Sequence, residues 1–213
     1  MLKELRKAVC SLLQEMSSHK LVCLTSGNIS ARDMKTGLVV IKPSGVPYDE
    51  LSPQKMVVVD ENGQRIWGEY KPSSDTASHL YIYSRMKEIH GIVHSHSPYA
   101  TAFASAGLPI PVLFSETAEE FGGEIPCTDF VLIGDEAIGK QVVKFAEKTH
   151  AAVLKKHGVF TVGETARKAL DLAILAENSA YIAWLGKALG AHEPILDTEI
   201  EKLYYRQQNI YGQ

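Results

Sequence analysis

With 213 residues, 45% of them hydrophobic and 22% charged, the chain has the size and composition of one compact globular domain. A net charge of -3 and an isoelectric point near 6.2 exclude the broad basic field that holds a nucleic-acid backbone, and no lysine-rich amphipathic stripe addresses a membrane. Small phosphorylated ligands stay open, because they need only local donors.

The chain starts with Leu2, Leu5, Val9, Leu12, Leu13 and Met16 at helical spacing, with Lys3, Glu4, Arg6 and Lys7 between them, which predicts an amphipathic helix over Met1 to Met16. This start lacks the uninterrupted apolar core of a secretory signal, and no stretch is long enough to span a bilayer, so a cytoplasmic protein is expected. Cys10, Cys23 and Cys127 are odd in number and show no CxxC spacing, which predicts free thiols.

Short strands are predicted at Leu21 to Leu24 and Leu38 to Ile41, followed by loops at Thr25 to Asn28 and Lys42 to Gly45. The run Lys55 to Asp60 gives a strand whose Glu61-Asn62-Gly63 turn leads toward Ile66 and Trp67. Pro72, Ser73, Ser74 and Asp75 read as a helix start, with an apolar face of Ala77, Leu80, Tyr81 and Met86. A strand through Gly91, Ile92 and Val93 to His96 follows. Helices are predicted over Pro98 to Ala106, about Asp135 to Lys148, and Gly163 to Gly190. The last carries Ala166, Leu170, Ala173, Ile174, Tyr181, Trp184 and Leu185 in helical period. A strand pair surrounds Lys155 to Gly158 and continues through Phe160 to Val162. No linker or repeat divides the chain, so residues 1–213 form a single α/β domain, a sheet covered by helices.

His94 and His96 alternate on a buried strand and therefore share a face, where two imidazoles converge on one point. A metal needs further ligands, and Asp75 and His157 supply them. His157 precedes Gly158 at a strand end, where backbone approaches closely. His79 sits one helical turn beyond Asp75 and competes for a place, although a helix-surface histidine beside Tyr83 reads as structural. His19, His90, His150 and His192 stand singly near element ends, in surface or capping positions.

Three segments leave backbone N–H groups and hydroxyls free for a phosphate: Thr25 to Asn28, Ser44 with Gly45, and Ser73 with Ser74. Lys42 adds a full positive charge. The serines immediately precede Asp75, so a phosphate held there presents the rest of its molecule to the metal. Neither GxGxxG nor GxxxxGK[ST] is present, which removes the sequence support for nicotinamide and nucleotide-triphosphate chemistry.

The segments LTSGNIS at 24–30, VIKPSGVPY at 40–48, KPSSDT at 71–76, GIVHSHSPYAT at 91–101, IPCT at 125–128, KHG at 156–158 and the terminal YGQ resemble the class II aldolase/adducin superfamily. That superfamily holds L-ribulose-5-phosphate 4-epimerase and L-fuculose-phosphate aldolase. The resemblance implies a three-layer α/β/α sandwich with a central mixed, largely antiparallel sheet. It implies one divalent metal per subunit on His94, His96, His157 and Asp75, zinc first and manganese or cobalt as alternatives. Phosphate-binding residues fall on Gly27, Asn28, Ser44, Gly45, Ser73 and Ser74. The IKPSG loop, the Asp after the serines and the YGQ ending are most similar to the epimerase, whose terminal tyrosine, here Tyr211, acts as acid/base in a neighbouring subunit's site.

Where the epimerase pattern has its other acid/base, an Asp ahead of IPCT, this chain carries Glu119 within Thr117 to Phe121. It also lacks the epimerase's extra segment between IPCT and HG, and Ser115 stands where the aldolase has its active-site tyrosine. The expected function is epimerisation of L-ribulose 5-phosphate to D-xylulose 5-phosphate by carbon–carbon cleavage and re-formation, with Asp75, Glu119 and Tyr211 as catalytic groups. An aldolase of the L-fuculose-1-phosphate type and a non-catalytic adducin-like interaction domain are the alternatives. The resemblance further implies a homotetramer with sites between subunits, and a small phosphorylated sugar as the partner.

Overall fold

The computed structural model describes residues 1–191 and 193–210. Its first helix, α1 (Lys3–Ser18), places Val9, Leu12, Leu13 and Met16 on one buried stripe, the i, i+3, i+4, i+7 pattern that packs a helix against a sheet. Left-handed backbone at Lys20 (φ 58°) and Leu24 (φ 54°) then turns the chain. The strand expected at Leu21 to Leu24 is therefore not formed. Leu21 packs into the core while Leu24 is exposed, and the strand begins later, as β1 (Asn28–Arg32).

Six further strands follow: β2 (Val39–Ile41), β3 (Val57–Val59), β4 (Arg65–Trp67), β5 (Gly91–Ser95), β6 (Ala151–Leu154) and β7 (Gly158–Gly163). They form one sheet in the order β4-β3-β2-β1-β5-β7-β6. All six strand pairings are antiparallel. The expected mixed character is confined to one isolated parallel bridge, Cys127 with Val153. β5 is thus an inner strand, with β1 on one side and β7 on the other.

The remaining helices are α2 (Thr76–Arg85), α3 (Pro98–Ala106), α4 (Ser115–Phe121), α5 (Ala137–Phe145), α6 (Ala166–Ala188) and α7 (Asp197–Asn209). Alternation along the strands feeds two cores. Ile29, Val40, Val58 and Val93 pack with α1 and α6 on one face. Val39, Ile41, Val57, Val59 and Ile92 pack with Ile82 of α2 and Ile138 and Val142 of α5 on the other. These are the expected three layers. α4 and α7 were not expected from the sequence; they join through a small cluster of Val112, Ala118 and Ile200. No helix among the described residues is long and apolar enough to cross a membrane.

Two helices present different faces from those expected. In α6 most of the inward residues are small, among them Ala169, Ala173, Ala176, Ala180 and Ala183 beside Leu170 and Leu172, which lets the helix lie close to the sheet. Gly91 answers this from below, because a Cβ there would overlap the backbone of Thr165 and Ala166. Tyr181 and Trp184 consequently turn outward, 37% and 52% exposed, against Tyr99.

In α2, Ala77 is exposed, and Ser78, His79, Ile82 and Tyr83 are buried instead. His79 is not a surface histidine: it is wholly inaccessible, with Nδ1 2.7 Å from the Ser30 Oγ, which also lies 2.8 Å from the Tyr83 hydroxyl. This bridging hydroxyl explains how a polar face turns inward, since buried polar atoms need partners. Burial pushes the His79 imidazole down to about 3.

The folded protein therefore binds fewer protons here than the unfolded chain, so this stabilisation is complete above about pH 6.5 and fades as pH falls toward about 3. His79 is expected to contribute a loss of about 1.4 kcal/mol per pH unit across that window. Urea titrations of the wild type and His79→Gln check it: the variant should show the shallower acid slope, and equal slopes would remove His79 as the cause.

Candidate functional site

The site lies where β5 runs out toward α3. His94 and His96 leave the strand on the side of Ile92, and β7 brings His157 beside them through the Gly158 step. Ring centroids of His94 lie 4.7 Å from both His96 and His157. The three residues offer nitrogen atoms all within 4.8 Å of one another. Phe160 stacks on His94 at 4.5 Å between centroids and fixes its plane.

Protonation completes the arrangement. The Nδ1 of His94 is 3.0 Å from the carbonyl of Val159, which places the proton on Nδ1 and leaves Nε2 as a lone pair. That Nε2 is 2.9 Å from Nε2 of His96. Burial, and then the neighbouring imidazoles His96 and His157, hold His94 well below the ordinary histidine range. Burial lowers His96 and His157 too, opposed in each by Asp75. Three neutral imidazoles with converging nitrogens are the donor set a borderline-soft divalent cation requires, so these residues fit such an ion.

Asp75 stands at the edge of this group. Its Oδ2 is 4.0 Å from Nε2 of His94 and accepts a 2.6 Å hydrogen bond from the Asn28 side-chain amide. The same amide donates to the Ser73 Oγ at 3.0 Å, tying the serine loop to the strand. His79 is not among the clustered histidines.

A cavity of about 310 Å³ opens beside the imidazoles, and the residues around it include every expected phosphate contact: Gly27, Asn28, Lys42, Ser44, Gly45, Ser73 and Ser74, together with Asp75, His94, His96 and His157. Residues from five separate parts of the chain thus meet. Among the described residues, the N–H groups of Gly27, Gly45 and Ser74 have no acceptor within the chain, and all three residues border the cavity.

Lys42 is 2% exposed and its ammonium group donates to the carbonyls of Thr25 and Pro43 at 3.0 and 3.4 Å. Tyr48 donates to the Ser26 carbonyl at 2.9 Å, steadying the same turn. Ile133, an exposed residue of the loop before α5, also reaches the cavity. The sequence carried no signal for it, nor for the Val159 carbonyl that orients His94.

Glu119 lies on α4, partly buried, and is not among the residues around this cavity. Tyr211 and His192 lie outside the described residues.

An antiparallel sheet between helix layers, with converging imidazoles beside a cavity lined by glycine- and serine-bearing loops, is the architecture of a class II aldolase-type domain. The chain belongs to this family: the model for the class II aldolase and adducin N-terminal domain matches residues 7–184. It is similar to an L-fuculose 1-phosphate aldolase at 26% identity, with a TM-score of 0.91 and 96% of each chain covered. Two further aldolases of that name share the fold. The one from Glaciozyma antarctica is 22% identical, with a TM-score of 0.81, 96% of this chain and 81% of that chain covered. The one from Thermus thermophilus is 24% identical, with a TM-score of 0.77 and 90% and 98% covered.

Proposed function

We propose that the protein is a divalent-metal-dependent enzyme that cleaves or rearranges a sugar phosphate by retro-aldol chemistry. The observation that carries this reading is the meeting of three neutral imidazoles with an anion cavity inside one fold of the class II aldolase family. His94, His96 and His157 would hold the metal, with Asp75 as its neighbouring carboxylate; zinc suits this donor set, as do manganese and cobalt. A divalent metal bound there supplies Lewis acidity to a ketone oxygen and its adjacent hydroxyl.

The protein's own groups set the rest. Ser44, Ser73, Ser74 and the N–H groups of Gly27, Gly45 and Ser74 hold the phosphate, with Lys42 behind them. This fixes the distance from the phosphate to the reacting carbons. For L-ribulose 5-phosphate, the C4 proton is not acidic enough to be removed directly, because C4 is not adjacent to the carbonyl. Asp75 is assigned to accept the C4 hydroxyl proton; the C3–C4 bond then breaks, its electron pair stays with the ketone half, and glycolaldehyde phosphate separates. Holding that fragment by its phosphate permits rotation of the aldehyde and re-addition, which is epimerisation. Releasing it is aldol cleavage.

The IKPSG loop, the Asp after the serines and the YGQ ending favour the L-ribulose-5-phosphate epimerase, while Glu119 in place of its Asp departs from it. The likeness to an L-fuculose 1-phosphate aldolase along nearly the whole of both chains favours the aldolase. Incubating metal-loaded protein separately with L-ribulose 5-phosphate and L-fuculose 1-phosphate decides between them: D-xylulose 5-phosphate marks the epimerase, and dihydroxyacetone phosphate with lactaldehyde the aldolase. Neither product, from protein with full metal content, would overturn the proposal.

Glu119 takes part only if a neighbouring subunit carries it to the cavity, and the resemblance assigns Tyr211 to a neighbouring subunit's site, so a homotetramer belongs to this reading. Tyr211→Phe is expected to lower turnover about tenfold to a hundredfold, the range of one proton-transferring group, while metal content stays constant. Unchanged kinetics would remove Tyr211 from the site.

A further inference from the structure

Lys42 is the largest side chain among those almost wholly buried, and it has no carboxylate partner among the described ion pairs. An ammonium carries three donors. Two reach the Thr25 and Pro43 carbonyls, which are neutral acceptors, and the third is unspent beside a cavity that Lys42 helps to line. Tyr48 faces the amine with its ring, 5.0 Å from Nζ, and burial holds its phenol protonated. The other titratable groups around the cavity are Asp75 at the head of α2, His94 and His96 on β5, and His157 before β7; none forms an ion pair with Lys42. A buried charge without a counter-charge is unfavourable, and the counter-charge this geometry lacks is the one the cavity is shaped to receive.

We propose that Lys42 is charged by its ligand: a dianion entering the cavity draws a proton onto the Lys42 amine, so that anion capture and protonation of this side chain are a single linked event. The inference rests on the phosphate cavity of the proposed function and adds a proton to its binding step. Burial alone pushes the empty-site amine down to about 8, which puts the exchange in an accessible range. Below that value Lys42 is already charged and anion affinity is flat with pH. Above it, each captured anion must bring a proton, so affinity falls about tenfold per pH unit. An arginine in the same place would stay charged throughout and show no such dependence.

Sulfate is the probe, because it does not itself titrate near neutrality. Calorimetric titration at about pH 9, in two buffers of different ionisation enthalpy, reads the protons taken up per sulfate bound, on metal-loaded and chelator-treated protein alike. Uptake close to one proton is expected in both forms. Lys42→Arg, which keeps the charge, should bind sulfate with uptake near zero, and Lys42→Met should bind it weakly at all pH values. Tight sulfate binding by the wild type with no proton uptake, or uptake that survives in Lys42→Arg, overturns the linkage and leaves the anion site standing. Failure of the wild type to bind sulfate or phosphate at about pH 6 to 7 overturns the anion site as well.

Discussion

Replacing His94 with asparagine is expected to empty the protein of its divalent metal and to lower turnover on the order of a thousandfold, about 4 kcal/mol of lost transition-state stabilisation. Asparagine is the informative choice because its amide nitrogen falls near the position of the imidazole Nδ1, which faces the Val159 carbonyl at 3.0 Å. The variant keeps that backbone contact and loses only Nε2, the atom that meets His96 and His157. The wild-type ring lies against Phe160 on a fully buried strand, so the shortened side chain leaves a small cavity costing about 1 to 2 kcal/mol, too little by itself to abolish folding. Elemental analysis of purified protein and steady-state kinetics check the two parts. Full metal occupancy in the variant would show that the three imidazoles are not the ligands.

The His-x-His spacing was legible because a strand allows no other outcome: residues two apart share a face, and the apolar run before His94 fixes which face is buried. The helices of strong period were legible for the same reason, α3 to the residue and α1 and α6 within two or three. β1 was not: Asn28, Ile29, Ser30, Ala31 and Arg32 do alternate polar with apolar, but the run holds a single large apolar side chain and continues from a segment rich in turn residues. Its side chains are covered by helices on one face and by the Ser30–His79–Tyr83 group on the other, and burial of that kind is a property of the partners.

The rotation of α2 escaped for a related reason. Its predicted face counted apolar residues, whereas the face that packs inward contains His79 and Tyr83, whose Nδ1 and hydroxyl meet Ser30 of β1, and Ser78, which donates to the Asp135 carbonyl. α6 shows the converse: counting hydrophobic bulk put Tyr181 and Trp184 inside, yet close approach to β5 and β7 selects alanine, and the large aromatics are displaced outward. Tertiary spacing overrides the hydrophobic period when the neighbour is a glycine-bearing strand. The anion loops were legible as a set of turn residues, but their convergence with the imidazoles required the antiparallel register of β1 with β5, where Asn28 pairs with His94.

Gly158→Ala tests how closely that convergence is packed. A Cβ at this position would overlap the backbone carbonyl of Ser95 and come within 2.9 Å of Cδ2 of His96 and 3.2 Å of Cε1 of His94. The carbonyl belongs to β5 and cannot swing aside, because Ser95 is paired with Val159 in the sheet. Relief must come by spreading β5 from β7 or by pushing both imidazoles off their common point. Overpacking of this kind costs about 1 to 3 kcal/mol, and misplacing two ligands at once is expected to weaken metal affinity at least tenfold to a hundredfold, the range seen when support for metal ligands is lost. The glycine after His157 is thus required by the close approach of β7 to the Ser95 carbonyl of β5 beside the three imidazoles, whatever the conformational freedom of glycine itself. Competition with a chromophoric chelator, beside a thermal melt, reads both effects in one preparation. A variant with wild-type metal affinity and stability would show that β5 and β7 tolerate separation there, and that the three imidazoles are held by something other than this contact.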